Sequence, residues 1–156
     1  MGKTHHYQTT IRWQSGEGTR NYQAYQRDFS IAVTGKPDLP GSSDPSFRGD
    51  PERYNPEELL LSAIASCHML WYLHFCAVNG VVVTGYKDQA SATMEENAEG
   101  SGKFTEVILY PEVRVTNPNM VDKAMQLHQQ ANKYCFIANS LNFTVTHRPK
   151  IMLNNE

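Results

Sequence analysis

A two-layer α+β domain is the fold class this sequence predicts, with a sheet covering two long helices. Three observations predict it. Asn55 to Gly80 is an almost unbroken apolar run bounded by helix start and stop signals. A second helix signal recurs at Asn117-Pro118. Segments rich in alternating apolar residues lie before, between and after these two stretches, in the order strands, helix, strands, helix, strand. No internal repeat or low-complexity tract interrupts that order, and the 156 residues suit a single domain spanning 1–156.

The first helix is the element the chain is organised around. Asn55 is a good N-cap, Pro56 suits the first helical position, and Glu58 stands where a capping-box acid belongs. Asn79-Gly80 supplies a residue tolerant of positive φ at the other end. Between them Leu60, Ala63, Ile64, Cys67, Leu70, Trp71 and His74 recur at spacings of three and four. The opposite face (Leu59, Leu61, Met69, Leu73, Phe75) is nearly as apolar, so burial on most sides is expected. Ser62, Ala63, Ala65 and Ser66 are small enough to let another backbone come close.

Tyr7 to Gln14 and Asn21 to Thr34 read as two strands joined by a turn at Ser15-Gly16-Glu17-Gly18. The next segment, Gly35 to Tyr54, has four prolines, three glycines and no periodicity, and reads as one long loop. Loops of that length are commonly functional or disordered. It is either a surface excursion or a lid whose Leu39 and Phe47 shape a pocket for organic groups.

After the helix, Val81 to Met94 and Phe104 to Val115 read as strands, with a hairpin at Glu99-Gly100-Ser101-Gly102. Val121, Ala124, Leu127, Ala131 and Cys135 then form the apolar stripe of the second helix. Leu141 to Thr146 alternates as a last strand, stopped by Pro149.

Composition narrows the function classes. The net charge is -2, from 14 basic and 16 acidic residues, which argues against nucleic-acid or anionic-membrane binding driven by bulk charge. No secretory leader pattern precedes the first strand, and the central helix, with two histidines and two serines, reads as a core helix and not a membrane span. Three unevenly spaced cysteines do not make a disulfide scaffold, which favours a reducing cytoplasm.

The cysteines carry the candidate chemistry. A free cysteine on a helix stripe is usually a small core hydrophobe. Cys67 and Cys135, however, each lie on the inward stripe of one of only two long helices, so the helices can pack with the thiols facing, and a facing pair can do redox chemistry. Cys76 follows Cys67 by nine residues, roughly half a turn out of phase and about 13 Å along the axis, and reads as structural. A metal site from Cys67, His68, His74 and Cys76 is disfavoured, because no two of them stand three or four residues apart. Phosphate-cradling glycine motifs, Ser-His-Asp signatures and basic-aromatic nucleic-acid readout are not discernible, and no cofactor is implied.

Three blocks, Asn55-Pro56-Glu57-Glu58-Leu59-Leu60, Ser66-Cys67-His68-Met69-Leu70-Trp71 and Cys135-Phe136-Ile137-Ala138-Asn139-Ser140, together with the element order, resemble the OsmC/Ohr family of osmotically inducible and organic hydroperoxide resistance proteins. The resemblance implies a thiol peroxidase that reduces organic hydroperoxides. It also implies an antiparallel sheet around two long helices and an intertwined homodimer with active sites at its interface. By position, Cys67 resembles the peroxidatic cysteine, Cys135 the resolving one, and Glu57 the glutamate that orients an active-site arginine. For the arginine, Arg27 in Tyr25-Gln26-Arg27-Asp28 resembles the Tyr-x-Arg pattern of the branch with Ser-x-Cys-His-Met-Leu-Trp. Arg20 fits the hydroperoxide resistance branch and is the runner-up; Arg48 and Arg53 stand in the same region. The chain departs from the family where proline often follows the second cysteine, since Phe136 stands there. In the hydroperoxide resistance branch lipoylated proteins act as reductant, so a dithiol partner is implied.

Elementary chemistry agrees on what such a site needs. Peroxide attack requires a thiolate, while a thiol near its reference pKa of about 8.5 is mostly protonated at neutral pH. Burial raises that pKa further, and Cys67 lies about three turns from the helix N-terminus, beyond the useful reach of the dipole. A nearby guanidinium, which stays charged when desolvated, is therefore required. Two other classes share these residues: a non-catalytic binding protein using an apolar interface cleft, and a thiol–disulfide oxidoreductase acting on proteins.

Overall fold

The structure, a computed structural model, describes residues 2–154. The chain divides into two compact units, one ending at Leu59 and the other beginning at Leu60.

The first unit carries a three-stranded antiparallel sheet of β1 (Thr10–Arg12), β2 (Phe29–Ala32) and β3 (Leu39–Gly41), in that order. Both sequence-predicted strands are present but shorter, because residues 21–25 turn on Asn21 instead of extending: Gln23 and Ala24 both donate to it. The expected long loop is also corrected. It supplies β3, whose Gly41 lies opposite Phe29, and a Cβ there would stand 2.5 Å from the Phe29 ring. A short 3₁₀ turn at Pro45–Phe47 follows, capped by the Asp44 carboxylate accepting from the Ser46 N–H. Ser42, fully buried, then accepts from the Asp50 N–H and donates its own N–H to the Tyr54 carbonyl. The segment lacks periodicity because its order comes from these side-chain bonds and not from a buried face.

Helix α1 (Pro56–Val78) begins as its sequence dictates. The Glu58 N–H donates to Asn55 Oδ1 at 2.8 Å, and the Asn55 N–H donates to Glu58 Oε2 at 3.2 Å, a reciprocal capping box. Gly80, at φ 72°, turns the chain out at the far end. By length and composition α1 could cross a membrane. Its buried residues Ile64, His68, Tyr72, Phe75 and Cys76 instead make it a core helix of this fold. Burial is less extensive than the expected burial on most sides: Ser62, Ser66, Leu70 and His74, four residues apart, are all exposed.

The second unit packs α1 and α2 (Val121–Tyr134) with two three-stranded sheets. One holds β4 (Val83–Asp88), β7 (Pro111–Val115) and β9 (Lys150–Leu153), with β7 central. The other holds β5 (Ser91–Glu96), β6 (Gly102–Leu109) and β8 (Val145–His147), with β6 central. The predicted strands Val81 to Met94 and Phe104 to Val115 are thus each broken in two and shared between sheets, whereas Leu141 to Thr146 is shortened and shifted to β8. The break is held where the Tyr110 N–H donates to Asp88 Oδ1 at 2.8 Å. The sheets are mixed and not wholly antiparallel, since β6–β8 and β7–β9 run parallel. Pro149, expected to end the last strand, separates β8 from a further strand, β9.

Two apolar cores result. Tyr72, Phe75, Val113, Val115, Leu127 and Ala131 centre the larger, and Ile64, Val107, Leu109 and Val145 the smaller. Strand β7 shows why: Pro111, Val113 and Val115 alternate inward. Before α2, Asn117 caps a 3₁₀ turn (Pro118–Met120) by accepting from the Asn119 N–H, so the predicted start signal opens that turn first.

Candidate functional site

Cys67 sits mid-way along α1 and is partly exposed; Cys135 is fully buried. The sequence places Cys135 on the stripe of the second helix, and Ala124, Leu127 and Ala131 of that stripe are indeed buried. The helix nevertheless ends at Tyr134, and Cys135 is its C-cap with extended ψ of 109°. The turn beyond is fastened by the Asn139 N–H donating to the Cys135 carbonyl and the Asn139 side chain donating to the Lys133 carbonyl, each at 3.0 Å.

The structure brings the two thiols together. The Cys67 thiol is near enough to Cys135 to raise its pKa, Trp71 of the same helix packs on both neighbours of Cys135, and Cys135 Sγ accepts from the Ala138 N–H at 3.5 Å. Burial pushes the Cys135 thiol up to about 11, the Cys67 thiol adds to the rise, and the Ala138 N–H opposes it. Cys135 therefore holds its proton at neutral pH, and Cys67 is the more accessible of the two thiols. All three cysteines are free thiols. Cys76 is buried in the larger core beside the Tyr72 phenol, its thiol pushed up by burial, in keeping with a structural role.

An aromatic wall flanks the pair. Trp71, one turn after Cys67, packs on Tyr134 at 5.5 Å and edge-on against Phe136 at 5.3 Å, the residues on either side of Cys135. Phe136 is 67 % exposed and Leu70 63 %, so apolar surface lies open beside the thiols. The sequence places Trp71 on the apolar stripe of the first helix; the signal it holds is an aromatic one turn from one cysteine and aromatics adjacent to the other.

A second feature escapes sequence reading. His68, weighed only as a metal ligand, turns into the core and meets His128 of α2, with Nε2 to Nδ1 at 3.0 Å. His147 of β8 lies close to both rings. Burial holds the pair neutral, drawing His68 down to about 4 and His128 to about 3, and it lowers His147 as well. Two histidines sixty residues apart give no periodic sign that they will touch. Among the described residues no group of three or more His, Cys, Asp or Glu is placed to hold a metal ion.

Within the first unit, Glu57 is partly buried and its Oε2 has no hydrogen-bond partner. The arginines expected near it are engaged elsewhere. Arg27 donates to the carbonyls of Tyr22 and Tyr25 and lies over both rings, 3.7 Å from the Tyr25 centroid. Arg53 pairs with Asp28 at 3.2 Å and Asp50 at 3.3 Å, Arg48 donates to the Gln23 carbonyl, and Arg20 is exposed.

Comparison with known proteins places this geometry. Residues 49–150 match the family model described as OsmC-like protein. An OsmC-like protein of unknown function from Vibrio cholerae is 25 % identical, with a TM-score of 0.84, over 94 % of this chain and all of its own. An organic hydroperoxide resistance protein from Elizabethkingia anophelis shares the fold with a TM-score of 0.70 at 14 % identity, over 99 % of this chain and 100 % of its own. Another, from Legionella pneumophila, gives 0.65 at 17 %, over 95 % and 98 %. No curated protein matches the chain. With nearly two thirds of its length matched, the chain belongs to the OsmC-like protein family.

Proposed function

We propose that the protein is a dithiol peroxidase that reduces organic hydroperoxides to alcohols, with Cys67 peroxidatic and Cys135 resolving. The observation that carries this is the nearness of a partly exposed thiol to a buried one, with Trp71, one turn from Cys67, packed on both neighbours of Cys135. The Cys67 thiolate attacks the terminal oxygen of ROOH, the O–O bond breaks, and with one proton the products are Cys67 sulfenic acid and ROH. The Cys135 thiol then condenses with the sulfenic acid to form the Cys67–Cys135 disulfide and water. An external dithiol, such as a lipoylated protein, restores both thiols with its own oxidation to a disulfide. The apolar surface of Leu70, Trp71 and Phe136 suits an organic leaving group better than hydrogen peroxide.

The cation that activates Cys67 is assigned to Arg27, with Arg20 the runner-up, and Glu57 is the carboxylate that would hold it. Glu57 and Cys67 are ten residues apart on an unbroken helix, a rise of roughly 15 Å, too far for one guanidinium to bond both. A second copy is the natural source of the missing carboxylate. The exposed stripe of Ser62, Ser66 and Leu70 offers a close, partly apolar seat for an antiparallel α1, and only 28 % of the most apolar window of α1 is buried within the chain. A two-fold dimer built this way makes two equivalent sites.

The exposed aromatics beside the thiols also favour a second reading, a thiol–disulfide oxidoreductase acting on proteins. Peroxide consumption in the presence of a dithiol, comparing a bulky alkyl hydroperoxide with hydrogen peroxide, tests both. Preference for the alkyl substrate supports the peroxidase; no consumption of either, with intact disulfide exchange, supports the oxidoreductase.

A further inference from the structure

Two buried histidines tie the helix that carries Cys67 to the helix that leads to Cys135. His68 directly follows Cys67, and a helix turns about 100° per residue, so its ring leaves α1 on another face. There its Nε2 stands 3.0 Å from Nδ1 of His128, with the rings inclined by only 6°. His128 lies two turns before Cys135, on the helix that delivers the chain to it. Tyr72 stacks on His128 at 3.8 Å, and the His147 ring lies 5.5 Å from His68 and 6.1 Å from His128.

This arrangement is unusual for a core contact. Both histidines are at most 1 % exposed, and neither His68 Nδ1 nor His128 Nε2 has a hydrogen-bond partner. An apolar contact tolerates sliding, whereas a hydrogen bond fixes distance and direction, more so in a dry interior. The bond needs at least one ring to keep an acceptor nitrogen, which two imidazolium ions lack. The titratable groups facing the pair are His147, the Tyr72 phenol and, behind it, the Cys76 thiol; none is a carboxylate that would favour a charged ring.

We propose that His68 and His128 are positioning residues, a neutral hydrogen-bonded clamp that holds α1 and α2 in register and so raises the effective concentration of Cys135 at Cys67. The proposal rests on the dithiol reading above, and concerns its second step alone: peroxide attack uses Cys67, whereas disulfide formation needs both sulfurs in place.

The test is the thiol–disulfide equilibrium of the full chain with glutathione at neutral pH. Glutathione disulfide takes two electrons from the two thiols, the Cys67–Cys135 bond forms, and two glutathione thiols are released. Trapping with an alkylating agent and mass spectrometry give the effective concentration. His128→Asn keeps a polar atom near the Nδ1 position, and His128→Leu has the same shape without it. The leucine variant is expected to lose about tenfold in effective concentration and the asparagine variant less than about twofold. The alkylation rate of Cys67, read in a Cys135→Ser background, stays unchanged in both. An equal fall in both variants, or none in the leucine variant, would overturn the clamp. If the leucine variant does not fold, imidazole nitrogen spectra of the wild type carry the test: the shared N–H must persist in reduced and oxidised protein, and its loss on oxidation sinks the proposal. A wild type that forms no Cys67–Cys135 disulfide with glutathione overturns it too. A wild type that forms the disulfide but consumes no organic hydroperoxide refutes the peroxidase and leaves the clamp standing.

Discussion

The Cys135 thiol, one residue past the end of α2, lies near enough to the Cys67 thiol in the middle of α1 for Cys67 to raise its pKa. Cys67 is reachable from outside while Cys135 is sealed in, and this asymmetry divides the expected roles. Cys67→Ser should abolish turnover. Cys135→Ser should still consume about one peroxide equivalent per subunit and then stop, because the sulfenic acid forms but is not resolved. Cys76→Ser should keep turnover within about twofold, since that thiol lies in the core. Stopped-flow peroxide consumption checks all three; full turnover in Cys67→Ser would remove the mechanism.

Glu57 and Cys67 provide the test of assembly. If each site draws Glu57 from a partner copy, Cys67→Ser and Glu57→Gln are each inactive alone, but mixing them by denaturation and refolding restores activity. Half of the dimers are then heterodimers with one intact site, so about a quarter of wild-type activity returns. No recovery on mixing, with dimers present by sedimentation, would place both residues in one subunit.

The activating arginine can be assigned by charge. Arg27→Ala is expected to lower kcat/KM at least about a hundredfold, and Arg20→Ala less than about fivefold. The reverse order would transfer the role to Arg20 and leave Arg27 to its bonds with the Tyr22 and Tyr25 carbonyls.

Acid should unfold this protein through its buried histidines. Above about pH 6.5 His68, His128 and His147 are neutral whether the chain is folded or not, so they cost nothing. Below that the unfolded chain takes up protons that the fold refuses, and stability falls with pH. The loss continues until the pH nears about 4 for His68 and about 3 for His128, where the folded rings also protonate. Urea midpoints measured from pH 7 to pH 4 should therefore drop steadily. A midpoint flat over that range would show that the rings are not held neutral.

The capping box predicts a smaller effect at neutral pH. Asn55 is 6 % exposed and both halves of its exchange with Glu58 are formed, so Asn55→Ala should cost about 1 kcal/mol or somewhat more. Urea denaturation at pH 7 reads it directly.

The sequence by itself determined the local features. It placed α1 to within two residues, because Asn55, Pro56, Glu58 and Gly80 act on their own backbone and need no distant partner. It separated Cys76 from Cys67 by helical phase, and it allowed that Cys67 and Cys135 could face. What only the tertiary structure decided is non-local. The parallel pairings of β8 and β9, the splitting of two strand stretches between two sheets, and the exit of Cys135 from its helix depend on partners far along the chain. The His68–His128 contact is the clearest case. Imidazole is neither apolar enough nor charged enough to declare its side of a helix, and the bond exists only once packing sets two rings 3.0 Å apart and excludes the water that would otherwise take their place.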